Sequence, residues 1–539
     1  MTGPGTPSHP VPPPPEGGGG PGRPVYEYGV PTTPPPPPGA PAQPQFSYGP
    51  PPGGQVPYGT PQDRPWFDRT VAQPPLAVPP VAPPPKRRFV PLAVGVAVLA
   101  LVGAGAAILP RLLGGSGPQP AAVVPAQAVA YASFDLNPTL AQKAAAAQFL
   151  NKFPAFQGRL TDSTDLRRVV FEQLQRGEDP VFEEFDYDAD VKPWLGDRFA
   201  VTAVPGESRA LGAVVLAVTD EAKAKASLQR LTASDDATEC RVADGFAVCA
   251  ERGTLAQVTV TDRARSLEAN QAFAADVAAV PGDAVGTFWA DLGAAAALVP
   301  TDSGTGNTVA GRLAGKVRFD GAAAVELAGV SRGVRAATDS GVPSGTRFDL
   351  LPAGTLAALS INGLGRQVQG AWPEISQQVG EESIEALGSS LGLALPDDLA
   401  LLLGDHSTLA FGGMGALGLP ELALVTDGDQ ALAARVAART GGFLSAREVS
   451  GSTVLATSGT FAGTVTSGGL TGLPAFQAAV PNAQSADAVA YVDIPGLLNV
   501  AGPSFPAENR VNLDPLQAVG LAATQRGSEG TFTVRVTTR

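Results

Sequence analysis

Histidine is almost missing from this 539-residue chain, which has only His9 and His406. A metal site or catalytic triad built on paired histidines therefore lacks its donors, and any single histidine base in the C-terminal part would be His406. Cysteine is as scarce. Cys240 and Cys249 stand alone, too few for a cysteine-rich zinc site or a multi-bridge framework. Positive charge is short too, with 37 Lys and Arg against 50 Asp and Glu and a formal net charge of −13. Residues 1–88 hold six cations and four acids, so the remainder carries −15. A surface that acidic repels phosphate and argues against nucleic acid as a partner. No sequence motif calls for a cofactor.

What the first 85 residues do have is proline, 30 of the 53, in runs such as Pro34 to Pro38 beside glycine runs such as Gly17 to Gly20. Such a segment holds too few apolar side chains to offset the entropy of ordering, so it is expected to be disordered. Tyr28-Gly29, Tyr48-Gly49 and Tyr58-Gly59 lie among those prolines, and polyproline stretches of this kind can dock on a protein partner. One uncharged apolar run, Phe89 to Leu109, reaches membrane-spanning length. Its 21 residues at about 1.5 Å rise cross roughly 30 Å of bilayer. Lys86, Arg87 and Arg88 precede it and only Arg111 follows closely, which keeps the N-terminus in the cytoplasm. Ala104, Gly105 and Ala106 resemble a signal-peptide cleavage site, but the long tail before the basic triplet favours a retained anchor.

Beyond the linker the chain repeats itself. Leu195-Gly196-Asp197 recurs as Leu403-Gly404-Asp405, Val218-Thr219-Asp220 as Val425-Thr426-Asp427, Leu267 with Phe273 as Leu470 with Phe476, and Ala284-Val285 as Ala488-Val489. The opening strings at Pro125 and Pro352 match as well, with Asp135 and Asn362 ten places on. The expected organisation is a disordered proline-rich cytoplasmic tail (1–85), a basic cluster and transmembrane helix (86–110), a linker (111–120), and two extracytoplasmic modules (121–343 and 344–539). Asn137 is placed to cap a helix running to Phe153, and Leu166, Val169, Val170 and Leu174 mark the apolar face of a second. Ala213 to Val218 reads as a strand leading to a helix capped by Asp220, with Asp427 as the counterpart cap. Thr254 to Asp262 fits helix or strand, and Lys316 to Asp320 pairs through Gly321 with Ala323 to Leu327. Mixed helices and strand pairs give an α+β class.

The strings Val124 to Pro154, Val191 to Val201 and Leu395 to Asp405 are similar to those of the actinobacterial membrane-protein family catalogued as domain of unknown function 3352. The resemblance spans nearly all of 121–539. It implies a membrane-tethered extracytoplasmic protein and no particular activity, so no functional residue is carried over.

Few residues invite a chemical reading. Gly329-Val330-Ser331-Arg332-Gly333 has the pattern of a nucleophile elbow, but the sequence after it is a poor helix and a solvent-facing turn is expected. Asp186, Asp188, Asp190 and Asp197 echo a calcium loop, with Val191 where the sharp turn requires glycine; a solvated loop is expected, with a weak cation site as the alternative. Gly304-Thr305-Gly306 reads as a flexible turn, His406 as a polar turn residue, and Trp194, Trp289 and Trp372 as core or interface anchors. Catalytic, cofactor and metal residues are thus assigned nowhere. The expected function is non-enzymatic binding or scaffolding. The alternatives are a sensor or hydrophobic-ligand carrier relaying through the tail, and an enzyme using carboxylates alone.

One covalent feature is predictable. Asp244-Gly245 centres a type I′ hairpin that pairs 243 with 246 and, counting outward, 240 with 249 in a non-hydrogen-bonded pair. There the Cα atoms approach to about 4.5 Å, close enough for a Cys240–Cys249 disulfide. The matching Ser450-Gly451 places Ala446 and Leu455 where the cysteines stand.

Overall fold

Along Ala210–Val218 every second side chain is buried, the signature of a strand with one face on a core. A computed structural model of the chain describes residues 119–539 apart from 155, 158–164, 176–184, 208, 235–236, 299–309, 335–343, 417, 467 and 503–505. Among the described residues sixteen strands join in one antiparallel sheet. The first eight are β1 (Ala130–Asp135), β2 (Leu195–Pro205), β3 (Ala210–Val218), β4 (Thr238–Ala243), β5 (Phe246–Glu251), β6 (Gly286–Asp291), β7 (Arg312–Asp320) and β8 (Ala324–Arg332). The second eight are β9 (Ala357–Asn362), β10 (His406–Met414), β11 (Pro420–Thr426), β12 (Ser445–Val449), β13 (Ser452–Ala456), β14 (Ala488–Asp493), β15 (Leu516–Arg526) and β16 (Glu529–Thr538). From either edge inward each half runs fourth, fifth, third, second, first, sixth, seventh, eighth, and β8 meets β16 at the centre. The repeated strings are the trace of this repeated strand order.

Register gives the equivalences. Asp135 pairs with Arg198 and Asn362 with His406, so the residue after each Leu-Gly-Asp triplet opens onto the same neighbour. Pro125 bridges Ser266 and Pro352 bridges Gly469. Leu267 and Leu470 are fully buried beside Phe273 and Phe476. Two matches are displaced. The Asp135 N–H donates to the Val285 carbonyl and the Asn362 N–H to that of Asp487, so Val285 corresponds to Asp487, not Val489. A slip of two keeps every side chain on its face, which is why the apolar pattern could not expose it. Likewise Asp429, not Asp427, caps the helix Gln430–Arg439 by accepting from Leu432 N at 2.8 Å, as Asp220 accepts from Lys223 N at 3.1 Å.

The two sheet faces differ. One carries a core in each half: Tyr131, Ala200, Val215, Val248 and Trp289 in the first, Ala358, Ala410, Val425, Val454 and Tyr491 in the second. Between them, at the β8–β16 junction, lies a charged seam in which Arg535 reaches Glu326 and Asp320 across the halves. On the opposite face the helix Leu140–Leu150 packs Phe149 and Leu150 against Phe319, Val325 and Val536. Helices also cover the sheet edges, Glu221–Ser234 beside β4 and β5, and Gln430–Arg439 beside β12 and β13.

Local details correct two expectations. The first helix begins at Leu140 with Thr139 as its cap, because the Asn137 amide donates to Asp197 at 3.0 Å and its oxygen accepts from Lys143. Thr254 to Asp262 is neither a full helix nor a strand; one turn, Leu255–Val258, gives way to extended chain. The second helix, Leu166–Gln175, forms as expected. Among the described residues no helix is long and apolar enough to cross a membrane, and Phe89 to Leu109, like the tail, lies outside them.

Candidate functional site

The edge hairpin forms through its turn. Asp244 and Gly245 take φ of 56° and 77°, and the equivalent Ser450 and Gly451 take 49° and 74°. Both turns therefore have the positive φ at two successive positions that a type I′ turn requires. Cys240 pairs with Cys249 in register and the two are disulfide-bonded, with Cα atoms 4.1 Å apart. The bond rests on Trp194, Ala224 and Leu228. In the second half Ala446 pairs with Leu455 and both pack against Leu432 and Val436, so apolar contact alone serves there.

A polar recess opens where β10 and β11 meet the helices Leu364–Gly370 and Asp397–Leu403. It is a cleft of about 430 Å³ whose polar lining is Arg366, Gln369, Asp405, Asp427 and Asp429. His406 opens β10 instead of lying in the turn before it, and its Nδ1 is 2.7 Å from Asp427 Oδ2. The other Asp427 oxygen accepts from the backbone N–H of Asp405 at 2.8 Å and of His406 at 2.9 Å. Burial pushes the Asp427 carboxyl up, but the backbone and ring hydrogen bonds of His406 and the Asp405 N–H outweigh it and hold it below the ordinary carboxylate range. Arg366 pairs with Asp405 at 3.1 Å, and Asp429 caps its helix. Each carboxylate facing the cleft thus already has a structural partner. In the sequence Asp405 and Asp427 stood out only as members of repeated triplets, Asp427 as a helix cap, and Arg366 not at all; the match of His406 to Arg198 was the available signal for the site, since Arg198 also grips a carboxylate, Asp135, at 2.6 Å.

The acidic segment is not a calcium loop. Asp186 caps a single π-helical turn, Tyr187–Val191, by accepting from Ala189 N at 2.8 Å. Asp188 pairs with Arg168 and with Lys192 at 3.2 Å, Asp190 with Arg230, and Asp197 with Arg167 at 3.6 Å and Asn137. The Arg168 and Lys192 hydrogen bonds hold the Asp188 carboxyl low, and that of Arg230 does the same for Asp190. The charge a cation would meet is already neutralised by the chain's own arginines and lysine.

Ser331 sits inside β8 between Leu313 of β7 and Gly530 of β16, buried, with its hydroxyl donating to Gln525 Oε1 at 3.4 Å. It is neither an elbow nor the solvent-facing turn the sequence suggested. A strand continues where the elbow needs a helix. Trp194 donates to the Asp190 carbonyl at 2.6 Å and Trp289 to Asp276 at 3.1 Å, both buried, as anchors should be. Asp276 itself is 1 % exposed and is held by Arg312 at 2.8 Å and Arg332 at 3.0 Å. Gly304-Thr305-Gly306 lies outside the described residues.

Residues 91–248, under a third of the chain, match the family model of a protein of unknown function, DUF3352. The match runs from inside the apolar run to the middle of β5. The string Leu395 to Asp405 falls beyond it, so the shared pattern is narrower than the sequence suggested. Comparison with curated proteins and with solved structures gives no match.

Proposed function

We propose that this is a single-pass, membrane-anchored cell-envelope protein of the actinobacterial kind, with residues 119–539 outside the membrane, and that it binds or scaffolds instead of catalysing. The observation that supports binding is where apolar surface is left open. Of the eleven large hydrophobic side chains exposed among the described residues, ten belong to residues 344–539. Exposed leucines scattered singly are ordinary, whereas their concentration in one half supports the reading that this half carries an interaction surface. The groups that looked chemical have structural tasks instead: Ser331 in a strand, the acidic segment in ion pairs, His406 on Asp427. Anchoring is supported by the 21-residue apolar run behind Lys86, Arg87 and Arg88. In this arrangement the proline-rich tail is left in the cytoplasm to meet a protein partner.

An enzymatic reporter fused after Arg539 should be active only outside the cytoplasm, and protease added to intact spheroplasts should leave a protected fragment of residues 1 to about 110. Reporter activity inside the cell would overturn the topology.

A further inference from the structure

On the sheet face opposite the two cores, one cross-strand row runs through Leu424, Leu409, Leu359, Ala490, Leu521 and Val534. Residues paired directly across strands share a face, so these side chains form one apolar line. Leu409 is 49 % exposed and Leu359 43 %; the others are half-buried. A second row beside it, Phe411, Ala357, Val492 and Val519, is apolar throughout. The polar Ser407 on the other side is buried, its hydroxyl donating to the Leu403 carbonyl. The first half differs at the same positions. Leu359 corresponds to Ala132, which is 6 % exposed, and Leu409 to Val201, which is half-buried. The second half has therefore placed large aliphatic groups where its face is open.

We propose that this strip takes the acyl chains of membrane lipid, an inference that rests on the anchored reading above. Three features select lipid over protein. A protein interface needs about one hydrogen bond per 100–200 Å² and favours Tyr, Trp and Arg, whereas these two rows offer no side-chain donor or acceptor. From β11 to β16 the row crosses five inter-strand steps, roughly 24 Å at about 4.8 Å each, a length suited to an extended hydrocarbon chain. Only residues 110–118 separate the apolar run from the first described residue, Gln119, and nine residues reach at most about 32 Å, so the sheet is held beside the bilayer.

The test uses the full chain in its native membranes. A diazirine-bearing leucine analogue installed at position 359 or 409 should, on illumination, yield lipid adducts, while the same group at the exposed Lys225, on the outer side of the helix Glu221–Ser234, should yield none. Leu409→Asp should cut the adduct formed from position 359 at least about tenfold without changing the thermal unfolding of the protein. Cross-links only to a second copy, only to another protein, or to nothing would overturn the proposal. An alkaline wash of the same membranes separates the two readings: loss of the chain from the pellet refutes anchoring whatever the cross-links show.

Discussion

Asp427 is the carboxylate on which the second half's polar cleft is hung. It is buried enough that desolvation favours its neutral form, yet three hydrogen-bond donors from His406 and Asp405 keep it ionised below the usual range. A carboxyl whose folded pKa is depressed stabilises the protein above its unfolded pKa, near 3.9, and that stability is lost as the pH falls through the folded value. Asp427→Asn should therefore flatten the fall in stability below about pH 4 while leaving the profile near neutrality parallel to the wild type, as read from urea midpoints across the acid range. An unchanged acid limb would show that the carboxylate contributes nothing to folding. Nothing in the sequence pointed to Asp427 in this role. The triplet match made it a helix cap, a task that Asp429 performs two residues later. Both are Asp near a helix start; which one turns back to the preceding strand is decided by where β10 lies, and that is tertiary information.

At the scale of the element, the edge hairpin was legible because its cause is local. Two residues of positive φ fix the turn, the turn fixes the register, and the register puts Cys240 opposite Cys249. The start of the first helix was not legible, since Asn137 is drawn away by Asp197, sixty residues on, and Thr139 caps in its place. The hairpin supports a quantitative expectation. Its counterpart carries Ala446 and Leu455 at the paired positions, so Cys240→Ala with Cys249→Leu preserves apolar contact and removes only the cross-link. Closing so short a loop restricts the unfolded chain by about 2 to 3 kcal/mol, and the double variant should lose no more than that in denaturant unfolding. A larger loss would mean that the sulfurs pack in a way the second half does not reproduce. Alkylation without reduction, followed by mass spectrometry, should leave both cysteines unmodified in the native protein.

For the whole molecule, duplication was readable from short strings in constant order, but the joining of the halves into one sheet was not. That sheet depends on β8 pairing with β16, a contact about two hundred residues apart that no local pattern encodes. The junction also carries the charged seam. Arg535 donates to the Ala478 carbonyl at 2.9 Å, to Asp320 at 2.6 Å and to Glu326, which is 8 % exposed and shared with Arg318; Arg332 pairs with Glu529 nearby. Continuous backbone pairing and a shared buried carboxylate mean that neither half can unfold without exposing ladder groups and stranding charge in the other. Residues 119–539 should therefore unfold in one calorimetric transition, with van't Hoff and calorimetric enthalpies in agreement. Arg535→Glu sets a like charge beside Glu326 and Asp320 in a site where Arg535 is 13 % exposed. It should split the endotherm into two, each half melting on its own core of buried residues. Two transitions in the wild-type protein would show that the β8–β16 junction does not couple the halves, and a single lowered transition in Arg535→Glu would place the coupling in the backbone ladder instead of the seam.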